Sequence, residues 1–99
     1  MPIFVTLYKF TDQGVRNIKE SPERLKAGIK AFEAKGGKVL GAYYTLGEYD
    51  LIVIGEIADE QAGVAHALAQ ASLGNVRSTT LRGYTAPEFA EIVKKVVET

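Results

Sequence analysis

Ninety-nine residues, 46% hydrophobic and 24% charged, make a single-domain length with an ordinary globular balance, which excludes a disordered chain. Twelve Lys and Arg offset twelve Asp and Glu, so no net field draws the chain to nucleic acid or to an acidic membrane surface. With no Cys and one His, disulfides, thiolate chemistry and a His-built metal cage are excluded, and no apolar run approaches the ~20 residues of a membrane span.

The opening Met-Pro-Ile-Phe-Val lacks a basic region ahead of a long apolar stretch, so no secretory leader is expected and the chain reads as cytoplasmic. Residues 3–8 (IFVTLY), rich in β-branched and aromatic side chains, predict a first strand. Thr11 and Asp12 then open a short helical turn carrying Val15 and Ile18. Ser21-Pro22-Glu23 predicts a longer helix, with Ser as N-cap, Pro at the first helical position and an acid facing the dipole. Leu25, Ile29 and Phe32 form its apolar stripe, and Gly36-Gly37 stops it. Residues 38–45 (KVLGAYYT) and 51–57 (LIVIGEI) predict strands two and three, joined through 46–50 as an antiparallel hairpin. Asp59 is the N-cap of a second helix of small residues, which Gly74-Asn75 ends; Val64, Leu68 and Ala71 supply its stripe. Residues 76–84 (VRSTTLRGY) predict strand four. Thr85-Ala86-Pro87-Glu88 has capping-box spacing, and Phe89, Ile92, Val93, Val96 and Val97 trace an amphipathic C-terminal helix.

The order β-α-β-β-α-β plus a final helix is the split βαβ pattern, which predicts an α+β, ferredoxin-like fold in one domain with both main helices on one face of an antiparallel sheet. A sheet bare on its other face should alternate apolar and polar residues. Here strand one sets Ile3, Val5 and Leu7 against Phe4, Thr6, Tyr8 and Phe10, and strand three sets Leu51, Val53 and Ile57 against Ile52 and Ile54. Both faces are apolar at the centre. The helix-free face therefore needs a cover, from the C-terminal helix or from another subunit, and homo-oligomerisation is the expectation. A charge at Ile54 or Phe4 would test it.

Three phenols and two carboxylates fall in residues 43–50 (YYTLGEYD), the densest polar-aromatic cluster. Glu48 and Asp50, two apart, share a face in extended backbone and suit a general base with its neighbour. Turn chemistry is the other reading: Gly47 for positive φ, and Asp50 bonding nearby backbone amides. Strand four carries Arg77 and Arg82, which suit an anionic small molecule or, equally, an edge strand guarded by charge. His66 has no carboxylate or second His at helical metal-ligand spacing, and Gly36-Gly37 lacks phosphate-loop context. No metal site, cofactor, nucleic acid or membrane partner is expected.

The segments PIFVTLYKFTDQG, NIKESPER, YYTLGEYDLIV and SLGNVRSTTLRGYT together resemble the GYD-domain family of small bacterial and archaeal proteins over nearly the full length, with Gly47, Tyr49 and Asp50 supplying the name. The resemblance implies a ferredoxin-like subunit of the kind that pairs into dimeric α/β barrels, and it marks Gly47 and Asp50. It names no reaction. Two readings follow. One is a homo-oligomeric module that binds a small molecule or stabilises a regulatory assembly, through Tyr44, Gly47, Tyr49, Asp50 and Arg77. The other is a cofactor-independent enzyme, monooxygenase- or isomerase-like by fold analogy, with Asp50 or Glu48 as base and Tyr8, Tyr44 and Arg82 orienting the substrate.

Overall fold

A computed structural model describes residues 1–97. The elements run β1 (Ile3–Phe10), α1 (Asp12–Arg16), α2 (Ser21–Ala34), β2 (Lys38–Tyr44), β3 (Leu51–Glu56), α3 (Glu60–Ser72), β4 (Val76–Gly83) and α4 (Ala86–Val97). A 3-10 turn at Ile18–Glu20 feeds straight into α2. Ser21 is therefore the first residue of that helix rather than its cap, and its hydroxyl instead meets the Tyr44 hydroxyl at 2.9 Å.

The sheet order is β2-β3-β1-β4, antiparallel throughout, which is the ferredoxin-like arrangement that the element order predicts. Register assigns the faces. Phe4 stands beside Gly55, Thr6 beside Val53 and Tyr8 beside Leu51, and this set looks toward α2 and α3. Val5 beside Ile54 and Leu7 beside Ile52 fall on the opposite, helix-free face, which Leu81 and Thr79 of β4 extend. Phe4 and Ile54 thus lie on opposite faces, a correction to their pairing as probes of one surface. The cause is the alternation of the pleat, which a one-residue offset between strands reverses. Leu40 is the extra residue where the β2 register shifts between Val39 and Gly41.

The glycine at position 14 fixes α1. Thr11 caps the helix, its hydroxyl accepting from the Gly14 N–H at 3.1 Å, while its own N–H donates to the Asn75 carbonyl at 3.1 Å. A side chain at Gly14 would collide with that same carbonyl. Gln13 completes the junction by donating to the Leu73 carbonyl at 2.9 Å. The loop after β1 and the loop after α3 are in this way locked together.

The fully covered core is thin: among the described residues, Leu51 and Ile57 are the only large apolar side chains that are buried. At the far end, Thr85 and Glu88 exchange the two hydrogen bonds of a capping box, at 2.8 and 3.2 Å. The helix they start has only slight contact with the rest of the chain and leaves the helix-free face uncovered, with Phe89 56% and Val93 46% exposed. Val97 closes α4, and its side chain lies outside the described residues. The outcome is an elongated body of 53 × 30 × 19 Å with a radius of gyration of 15.2 Å, against about 13 Å for a compact chain of ~100 residues.

Candidate functional site

A cavity of ≈ 340 Å³ separates the sheet from α2 and α3. Its floor is the Phe4, Thr6, Tyr8 and Leu51, Val53 face of the central strands, and its walls are the inner sides of the two helices. Helix α2 contributes Ser21, Arg24, Gly28, Ile29 and Phe32, positions that share one face at helical spacing. Gly28, Gly55 and Gly63 also line the space and leave it wide.

The cavity has two unlike ends. At the start of α2, Arg24 donates from Nη1 to the Asn17 carbonyl at 2.7 Å, while its Nη2 is buried without a partner. Tyr8 lies at this end through its register with Leu51, which itself pairs with Tyr44. Burial pushes the Tyr8 phenol above its ordinary value of 10.0, so it stays a neutral donor. The opposite end is apolar, built from Phe4, Ile29, Phe32 and Ile57, with Glu60 at its margin. His66 lies against Phe32, ring centroids 5.3 Å apart. Burial first, and the Lys35 charge second, hold its imidazole below 6.5, so it is neutral at pH 7.

The polar-aromatic turn lies outside this lining. Gly47 has φ +110°, a conformation other residues rarely adopt, with open space around it. The Asp50 carboxylate accepts from the Phe10 N–H at 2.8 Å, the Asp50 N–H donates to the Tyr8 carbonyl at 2.9 Å, and the Asp50 carbonyl accepts from the Thr45 N–H at 2.9 Å. One residue therefore ties the β2–β3 turn to the end of β1. Glu48 is exposed and lies 3.9 Å from the Lys9 ammonium, which also sits 5.3 Å from the Tyr49 ring centroid.

Of the residues singled out from sequence, Tyr8 and His66 line the cavity, and Tyr44 borders it through Ser21. Gly47, Glu48, Tyr49 and Asp50 cluster at the turn. Arg77 pairs with Lys9 in register and caps local carbonyls on the exposed edge strand; Arg82 stacks over Tyr84 at 4.3 Å and over Phe4 at 5.8 Å. Among the described residues no group of His and acidic side chains forms a metal cluster. Arg24 and Gly28 were missed, although a cation and a glycine on the apolar stripe of α2 are both unusual for a helix face meant only for packing.

The sequence pattern of the GYD domain matches residues 4–93. The chain belongs to the GYD-domain family. A Thermus thermophilus relative, named as a glutamine synthetase and cystathionine beta-lyase binding protein, is 37% identical over 96 residues, spanning 95% of this chain and all of that protein. Among solved structures, this GYD domain resembles FFRP-DM1 (TM-score 0.54, 20% identity, 85% of this chain and all of that one). It also resembles TTHA0845 of Thermus thermophilus (TM-score 0.52, 22% identity, 87% of this chain and 96% of that one). These likenesses place the fold. Among the described residues no helix of this GYD domain is long and apolar enough to cross a membrane.

Proposed function

We propose that this chain is a single-domain, cytoplasmic, homo-oligomeric binding module, which pairs with a second copy through its helix-free sheet face, docks on other proteins and holds a small molecule in its cavity without a cofactor. The observation that carries the reading is the apolar helix-free face formed by Ile3, Val5, Leu7, Ile52 and Ile54, all half-buried, and by the exposed Leu81. The accessible surface, 6702 Å², supports it: a compact chain of this mass exposes about 5,500 Å². A second copy laid sheet against sheet, as in a dimeric α/β barrel, removes that excess by an isologous contact. The name of the Thermus relative supports docking on other proteins.

The enzyme reading makes Asp50 or Glu48 a general base, yet neither lines the cavity. One is engaged with a backbone amide and the other faces solvent. The geometry favours binding.

Light scattering of the purified chain and of Ile54→Lys tests the pairing. The unaltered chain should run as a discrete oligomer, and Ile54→Lys should run at half the mass or less, with its helix content kept. A monomeric wild type, or an unchanged mass in the variant, overturns the sheet-face interface. Purified glutamine synthetase, immobilised as the probe, tests docking separately.

A further inference from the structure

We propose that the cavity between the sheet and α2/α3 takes a small amphipathic acid: an aliphatic or aromatic body against Phe4, Ile29 and Ile57, and one carboxylate or comparable anion at the Arg24–Tyr8 end. This rests on the reading of the chain as a binding module and adds the ligand class. Three observations carry it.

The first is volume. Protein interiors are close-packed, with few voids larger than a water molecule, whereas ≈ 340 Å³ falls in the range of small-molecule pockets, about 300–1,000 Å³. The second is Gly28. Glycine inside a helix is unfavourable relative to alanine, and here no neighbour demands it: a Cβ would meet only the flexible Gln70 side chain, at an ordinary 3.5 Å. What a side chain at 28 would take away is room in the cavity. The third is the polarity of the two ends. The Arg24 Nη2 donor is buried without a partner, and Tyr8 lines the same cavity. A buried donor without an acceptor is costly, and a carboxylate is the acceptor that a guanidinium recognises best. Among the described residues no carboxylate fills that role: Asp50 is engaged by the Phe10 amide and Glu60 sits at the opposite margin.

Calorimetric titration of the full chain with matched probes tests this: decanoate against 1-decanol and decylammonium, and 2-naphthoate against naphthalene-2-carboxamide. At least one acid should bind tenfold or more tighter than its neutral and cationic counterparts. Arg24→Met should abolish that preference, so that acid and neutral probe bind within about twofold of each other. Gly28→Leu should abolish binding of both while its Tm holds or rises. If Arg24→Met does not fold, the probe comparison on the unaltered chain decides alone, and Arg24→Lys should keep part of the preference. Equal binding of acid and neutral probe, blocked by Gly28→Leu, overturns the anionic head while the cavity reading stands. No binding by any probe overturns the proposal, and the oligomer mass then judges the module reading independently.

Discussion

Asp50 ties the β2–β3 turn to the end of β1 through its side chain and its backbone alike. Its carboxylate accepts one backbone N–H and its own amide and carbonyl serve two more strand ends. A hydrogen bond from a backbone amide to a charged group is worth about 1.5–3 kcal/mol, and removing it leaves the Phe10 N–H half-buried and unmade. Asp50→Ala should therefore lower stability by about 2 kcal/mol in denaturant unfolding, and Asp50→Asn, which keeps an acceptor oxygen, by clearly less. Equal stability of Asp50→Ala and wild type would remove the residue from the turn's architecture. His66 makes a prediction of opposite kind. Its folded value lies below 6.5, so on acidification the unfolded chain takes up the proton first. Stability should fall as pH drops through that ordinary value and level off once the folded value is passed. His66→Gln should flatten this part of the Tm-against-pH curve.

At the scale of elements, helix α1 shows why a short helix can matter. Five residues cannot hold a helix by themselves, and α1 exists because Thr11 caps it and Gln13 and Gly14 seat it on the loop at 73–75. The segments ending TDQG and beginning SLGN, far apart in the chain, are one joint. Gly14→Ala drives a methyl into the backbone of Asn75, which cannot move without dragging the start of β4. The expected loss is about 1–3 kcal/mol, read as an earlier chemical-denaturation midpoint. Helix α4 is the contrasting case. Its capping box makes it well begun, its Glu88 carboxyl held low by the Thr85 hydrogen bonds, yet it has little of its own chain to lie on.

For the whole molecule, the decisive quantity is surface. A sheet apolar on both faces, a thin covered core and an accessible area well above that of a compact chain leave apolar surface of the kind a second copy covers. If a second copy completes it, stability and assembly are one equilibrium, and Tm should rise with protein concentration. The same Ile54→Lys change that halves the mass should abolish that concentration dependence; a Tm independent of concentration in the wild type would place the missing cover within the subunit.

Local chemistry determined the elements, since caps, glycine stops and apolar periodicity act over a few residues and are written directly in the chain. Thr85 with Glu88, Asp59 ahead of α3 and the 46–50 hairpin form as their residue types predict. The family was legible too, in motifs that span the length. Register, facing and emptiness were not. Which of Phe4 and Val5 shares a face with Ile54 depends on how two strands slide past each other. That α4 stays off the sheet depends on the competition between its apolar stripe and partners the chain does not contain. The cavity was hidden for the same reason. The sequence pointed to the turn, where polar residues are dense, and to Tyr8, whereas the cavity is lined by Arg24 and Gly28 of α2 together with Tyr8 of β1, residues that packing alone brings around one space.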